Sequence, residues 1–326
     1  MRLATFNVES LDLPPKAPLP LETRAAVLRP ALERLDADIL CLQEVNGQHV
    51  QGSRERRLVA LDRLLEGTRY EHYERAATSG PAGTGVADVH NLVTLSRFPF
   101  TARREIRHAH VQPLQHTMIT GTAAGGPAPV HFDRPLLLTR FDLPGGRAVA
   151  VINVHLRAPL ASVIPGEKSG HFTWRSIRGW AEGYYLSALK RAGQALELRL
   201  LVDELLADAP HALVAVAGDF NAEDHETPLR LAVGAEEDTG ASELAAQSLA
   251  ILDRSIAQDR RWSVLHHGRP QMLDHILASH ALYGRFRHIE VHNELLADEA
   301  VGFAKSMHAA ASYHAPLVAQ FDLDSD

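Results

Sequence analysis

The chain has 326 residues, of which 45% are hydrophobic and 22% charged, and its formal net charge is −7. This is the composition of an ordinary folded protein long enough to bury a large core. The acidic balance argues against broad, sequence-independent binding of polyanions, which asks for a basic surface, although a local basic groove for nucleic acid remains compatible with it.

In chain order, "RLATFNV" reads as a first strand. No basic stretch with an apolar run and a cleavage site precedes it, so the expected location is cytoplasmic. Residues 21–35 space their apolar side chains by three and four, predicting a helix that Pro30 should kink or break early. "DILCLQEV" is a second strand. It holds Cys41, the single cysteine, expected to be a small buried hydrophobe. No disulfide within the chain can form, and nothing signals an oxidising compartment. Further strands are predicted at "HNLVTLS", "PLLLTRFDL", "AVAVINVHL", "HALVAVAGDF", "QMLDHILAS" and "PLVAQFDL". Several are almost continuously apolar, as strands covered on both faces are.

Residues 11–20, 78–86 and 120–129 read as loops within one domain, because strands resume at once in the same style. Residues 157–180 form the longest predicted irregular connection. They mix Arg157, Lys168, Arg175 and Arg178 with Phe172, Trp174 and Trp180. Such a loop either walls a site, holding phosphate and stacking a base, or packs its aromatics on the body. The clearest helix is predicted from about Glu182 to Leu206, with Leu186, Leu189, Leu196, Leu200 and Leu205 near one stripe. No stretch approaches the length of apolar chain that a membrane span needs, so membrane insertion is not expected. No internal repeat is visible. The expectation is a single α/β domain over residues 1–326, sheets packed inside and helices outside.

Polar residues gather at the ends of the apolar strands. Asn7 ends the first and Glu44 the second. Asn153 and His155, two apart, leave one face of their strand. Asp219 and Asn221 repeat that spacing, Asp274 sits among apolar neighbours, and His314 precedes the last strand. Taken singly, an Asn is a turn residue, a Glu is surface and a His is hydrogen-bonded core. Six strand ends carrying them in succession point to one shared site.

"ATFNV", "LCLQEV", "NVHL", "GDFNA", "LDHIL" and "YHAPLV", in that order, resemble the endonuclease/exonuclease/phosphatase superfamily along nearly the whole chain. The resemblance implies an α/β, four-layer sandwich of two packed mixed β-sheets flanked by α-helices. It also implies divalent-metal-dependent hydrolysis of a phosphate ester by activated water. Members act on DNA, RNA, inositol phosphates and sphingomyelin, so the substrate stays open. By the same resemblance, Glu44 is the main metal-binding carboxylate and Asn7 supports it. Asp219 positions or deprotonates the water, Asn221 holds it or a phosphate oxygen, and His155 donates to a non-bridging oxygen. Asp274 orients His314. Oxygen donors of this kind suit Mg²⁺ or Mn²⁺.

The sequence departs from the family at Tyr313, where an Asp of the metal shell is usual. Tyr313, with Asn153, is therefore assigned to the substrate or to an altered metal shell. The enzyme either binds metal more weakly, or has turned to less charged esters, or has become a ligand-binding variant with little catalysis. The expected substrate is a small or exposed phosphodiester, with DNA or RNA as the alternative. Nothing in the sequence indicates an oligomeric state.

Overall fold

The structure, a computed structural model, describes residues 1–323 apart from 18, 82, 123–125, 144, 171 and 305–309. Parts of the three expected loops at 11–20, 78–86 and 120–129 thus lie outside the described residues.

Two short βαβ units set the architecture. In the first, β1 (Arg2–Leu11) and β2 (Ile39–Val45) are parallel neighbours joined by helix α1 (Leu21–Leu35). Strands Leu317–Phe321 and Phe286–Val291 extend this sheet beyond β1. Asn91–Ser96 and Glu74–Ala77 extend it beyond β2, all antiparallel. Helix α2 (Val59–Leu65) joins α1 on its outer face. In the second unit, β3 (Arg147–His155) and β4 (Leu213–Asp219) are parallel and joined by helix α3 (Ile177–Asp208). Helix α4 (Thr227–Val233) follows β4, and β5 (Asp274–Ser279) pairs antiparallel with it. Strand Leu249–Ile251 lies beyond β5, while Leu136–Leu143 and Phe100–Ile106 lie beyond β3.

Side-chain alternation sorts the layers. Leu3, Ile39 and Cys41 from one sheet meet Val151, Ala217 and Ile276 from the other. The opposite faces bury Leu40 and Val93 against Leu28 and Leu61, and Ile152 and Val216 against Leu198 and Leu229. The result is the expected sandwich of two sheets between helices. Cys41 is fully buried, and burial pushes its thiol pKa up to about 12, so it is chemically quiet.

Helix α1 covers the expected residues, Leu21–Leu35, and is not broken at Pro30. Pro30 lies on the exposed side, where water serves the carbonyl that loses its partner. Helix α3 begins at Ile177, ahead of the predicted Glu182. Ser176 caps it, its Oγ accepting from the Gly179 N–H at 3.0 Å. The early turns point Trp180 and Tyr184 outward, which erases the amphipathic stripe by which a helix is recognised.

Candidate active site

Strand register brings the first groups together. Across β3 and β4, His155 is paired with Asp219; across β4 and β5, Asp219 is paired with Asp274. All three share the parity of Val151, Ala217 and Ile276, so they face the opposite sheet at the level where the apolar core ends. Asn7 meets them from β1. Its Nδ2 donates to Asp219 Oδ2 at 3.0 Å and to Glu44 Oε1 at 3.4 Å.

Glu44 arrives by a different device. Strict alternation along β2 would point it, like Leu40 and Leu42, toward the helices. Its backbone instead turns left-handed at φ 60°, inside a register irregularity, and this re-aims the carboxylate inward. Ser10 secures it, donating from N and Oγ to Glu44 Oε2 at 3.0 and 3.2 Å. Glu9, Ser10, His90 and Asn221 also have positive φ. Strain concentrated around one pocket marks a site whose geometry the fold holds in place.

The charges are interdependent. Burial raises the pKa of Asp219, the facing Asp274 raises it further, and His314 counters them. His314 Nδ1 lies 2.8 Å from Asp274 Oδ2, which also accepts from Ser263 Oγ at 2.7 Å. Burial opposes charge on His314, but Asp274 and Asp219 hold its pKa well above the ordinary value. Burial likewise opposes charge on Glu44, yet His90, Arg134 and His314 keep its pKa low. His155 is pushed well below the usual histidine range by burial and by Arg134, and stays neutral. Its Nε2 stands 3.4 Å from Asp219 Oδ2 and 3.8 Å from Glu44 Oε1.

Other expected site residues are placed differently. Asn153 is fully buried between the sheets. It accepts from Gln43 Nε2 at 2.8 Å and donates to the Leu42 and Val93 carbonyls, so it braces the floor beneath the site. Asn221 donates its N–H to Asp219 Oδ1 at 2.8 Å and its Nδ2 to the Leu156 carbonyl at 3.1 Å. Tyr313 is buried, and its N–H donates to Glu9 Oε2 at 2.8 Å. Gly218, immediately before Asp219, admits no side chain, since a Cβ there would collide with the Val154 carbonyl.

Three residues that the sequence reading passed over belong to the neighbourhood. Arg134 donates to the Leu156 carbonyl at 3.3 Å, and Glu44 and Asp219 both act on its charge. His90 Nδ1 lies 3.6 Å from Glu44 Oε2. Glu9 adds a carboxylate whose pKa burial raises, with His314 and Glu44 close enough to act on it. Their one sequence signal is position, each a polar residue bordering a predicted strand.

The donor set fits a hard divalent cation. Two carboxylates, Glu44 and Asp219, converge on one amide group. The buried Asp274 Oδ1 has no hydrogen-bond partner, and the ligand-capable atoms of Asp219, Asp274 and His314 lie within 4.8 Å of one another. His314 is the poorest donor of these, because its Nδ1 is committed to Asp274 and its charge disfavours a cation. Asn7 presents its Nδ2 to the two carboxylates, while its oxygen accepts from the Glu9 N–H at 2.9 Å.

Fold and site together define an α/β sandwich with an acidic, histidine-bearing cluster toward the carboxyl ends of two parallel strand pairs. The chain belongs to the Endonuclease/Exonuclease/phosphatase family, whose profile matches residues 4–303. Members of that family are generally metal-dependent hydrolases of phosphate esters. Among solved structures the chain is similar to a humanised D. rerio TDP2, at 14% identity and TM-score 0.57, over 99% of this chain and 98% of that one. It is also similar to an AP endonuclease from Archaeoglobus fulgidus, at 16% and 0.53, over 99% and 100%. The endonuclease/exonuclease/phosphatase from Bacteroides vulgatus matches at 15% and 0.58, over 98% of each. These likenesses are of fold. No curated protein matches the chain.

Proposed function

We propose that this chain is a divalent-cation-dependent phosphodiesterase, one catalytic domain across its length, that attacks a small or exposed phosphodiester with activated water. The observation that carries the reading is the convergence of Asn7 and Glu44 from one sheet on His155 and Asp219 from the other, with the Asp274–His314 pair beside them.

Glu44 would hold Mg²⁺ or Mn²⁺, supported by Asn7, whose Nδ2 orients the Glu44 and Asp219 carboxylates. When bound, such a cation neutralises charge on the phosphate oxygens. Asp219, its orientation fixed by the Asn221 N–H, is placed to accept the proton of the attacking water. Charged His314, steadied by Asp274, stabilises the phosphate as negative charge builds. Neutral His155 donates from Nε2 to a non-bridging oxygen. Glu9 returns a carboxylate beside the position where Tyr313 replaces the family's usual Asp.

The test is hydrolysis of bis-(p-nitrophenyl) phosphate with chelator, then with Mg²⁺ or Mn²⁺ restored. Turnover should vanish and return. Asp219→Asn should lower it by roughly 10²–10⁴-fold, the worth of a general base. Undiminished turnover in chelator ends the reading. Plasmid DNA and RNA in the same assay test the nuclease alternative.

A further inference from the structure

The first turns of α3 invert the usual distribution of polar and apolar groups. Two loops dock on them through polar bonds to two buried acids, Glu182 and Glu167. Glu182 accepts from the N–H groups of Ile119 and Thr120, both at 2.7 Å, and lies 2.8 Å from His116 Nε2. On the other flank Ser162 N donates to the Gly183 carbonyl at 2.8 Å, and Ser176 Oγ to Glu167 Oε2 at 2.5 Å. Gly179 and Gly183 permit this contact, since a Cβ at either would collide with Glu167 or Ser162. The polar groups are inside the knot.

The apolar groups are outside. Six large apolar side chains among the described residues are 65% or more exposed, and five of them crown this knot: Ile119, Leu160, Val163, Phe172 and Ile177. Trp180 and Tyr184 stack beside them, ring centroids 5.3 Å apart. Charge is equally one-sided. Between 157 and 191 both acids, Glu167 and Glu182, are buried, so the charges left at the surface there are basic. Arg157 and Lys190 pair with Asp133, while Arg175 and Arg178 are exposed at the apex of an otherwise acidic protein.

The apex belongs to the same helix that holds the turn after Asp219. Arg191, further along α3, donates to the Asn221 carbonyl at 2.5 Å. Trp180 and Tyr184 precede it by about three and two helical turns, so they share its face and stand ~10–16 Å farther out.

We propose that this apex is a membrane-docking surface that seats the protein on an anionic phospholipid bilayer. Protruding aliphatic vertices, interfacial aromatics and exposed basic groups are what an acyl–headgroup boundary receives. A single-stranded polynucleotide would use the rings and the charges but leave Ile119, Leu160, Val163 and Ile177 in water. Docking stands apart from the hydrolase reading. That the substrate is then a phosphodiester at the bilayer surface rests on it.

The experiment is co-sedimentation with vesicles of phosphatidylcholine, alone or mixed with phosphatidylserine. The protein should bind the mixed vesicles, less so as salt rises. Ile177→Asp should cut partitioning by about tenfold or more, and it places an acid in a helical first turn, where folding tolerates it; thermal unfolding checks this. Arg175→Gln and Arg178→Gln should each cost about fivefold. Glu44→Gln should bind as the wild type does, which separates docking from catalysis. Absence of binding to the mixed vesicles, or unchanged partitioning in these variants, overturns the proposal. So does finding that Ile177→Asp instead dissociates a dimer or abolishes binding of a single-stranded oligonucleotide, which would give the surface to a second copy or to nucleic acid.

Discussion

Residue 313 lies between two anchored neighbours. Ser312 Oγ donates to the Asn7 carbonyl at 2.7 Å and also accepts from the His314 N–H at 3.0 Å. The segment is thereby tied to β1 at Asn7 whatever the side chain at 313. Tyr313 itself is buried and brings no negative charge, whereas Glu9, bonded to its N–H, does. Burial raises the pKa of Glu9, so a cation nearby would draw it toward the ionised form. Glu9→Gln should therefore raise the Mg²⁺ concentration needed for half-maximal turnover roughly tenfold, the effect of losing one carboxylate at partial screening. Tyr313→Phe should leave it within about twofold. A metal titration of both variants decides the matter. If the phenylalanine variant moved and the glutamine variant did not, the phenol itself would be the altered element of the site.

At the scale of elements, the turn after β4 is clamped from beneath. His275 Nε2 lies 2.9 Å from the Ala222 carbonyl and its Nδ1 3.0 Å from Asp253 Oδ2, while Arg261 holds the other carboxylate oxygen at 2.6 Å. Burial opposes charge on His275, but Asp253 and the Ala222 carbonyl keep its pKa above the ordinary value. Burial also opposes charge on Asp253, yet His275 and Arg261 hold its pKa low. The signs follow by linkage. His275 contributes stability in full below its unfolded value of about 6.5, and that contribution is lost as pH rises through its raised folded pKa. Asp253 contributes above its unfolded value of about 3.9 and is lost only below its lowered folded pKa. Urea unfolding should thus show the wild type's advantage over His275→Asn shrinking as pH rises from near 6 into the alkaline range. A constant difference would mean the ring binds as a neutral group. None of this clamp was legible in the sequence, where His275 is one residue in an apolar strand. The strand ends were legible, because a carboxylate or imidazole closing an apolar run is costly without a partner. The left-handed turn at Glu44 was not, since a bulge leaves no mark in residue types. The early start of α3 was hidden for another reason: its exposed face is apolar, so periodicity gave no contrast.

Across the whole molecule the two βαβ units face each other with the carboxyl ends of both parallel pairs on one side. Asn7, where the regular pairing of β1 with β2 stops, meets Asp219 at the end of β4, and Glu44 near the end of β2 meets His155 at the end of β3. Ligand sites in α/β sheets favour such strand ends, and here each sheet supplies half. The spacing of the sheets then decides whether the halves meet. Below them, Thr5 Oγ1 lies 3.3 Å from Gln43 Oε1, and Gln43 Nε2 reaches Asn153 across the interface. Asn153→Leu removes its bonds to the Leu42 and Val93 carbonyls in the buried interior, while Gln43 Nε2 keeps Thr5 Oγ1 and the Cys41 carbonyl. It should cost about 1–3 kcal/mol for a group left unsatisfied, with more if several are stranded. Urea denaturation should show a lower midpoint at unchanged slope. The Mg²⁺ requirement should shift much less than in Glu44→Gln, because Asn153 touches neither Glu44 nor Asp219. An equal shift in the two variants would mean that the interface sets the distance between Glu44 and Asp219, making the brace part of the cation site.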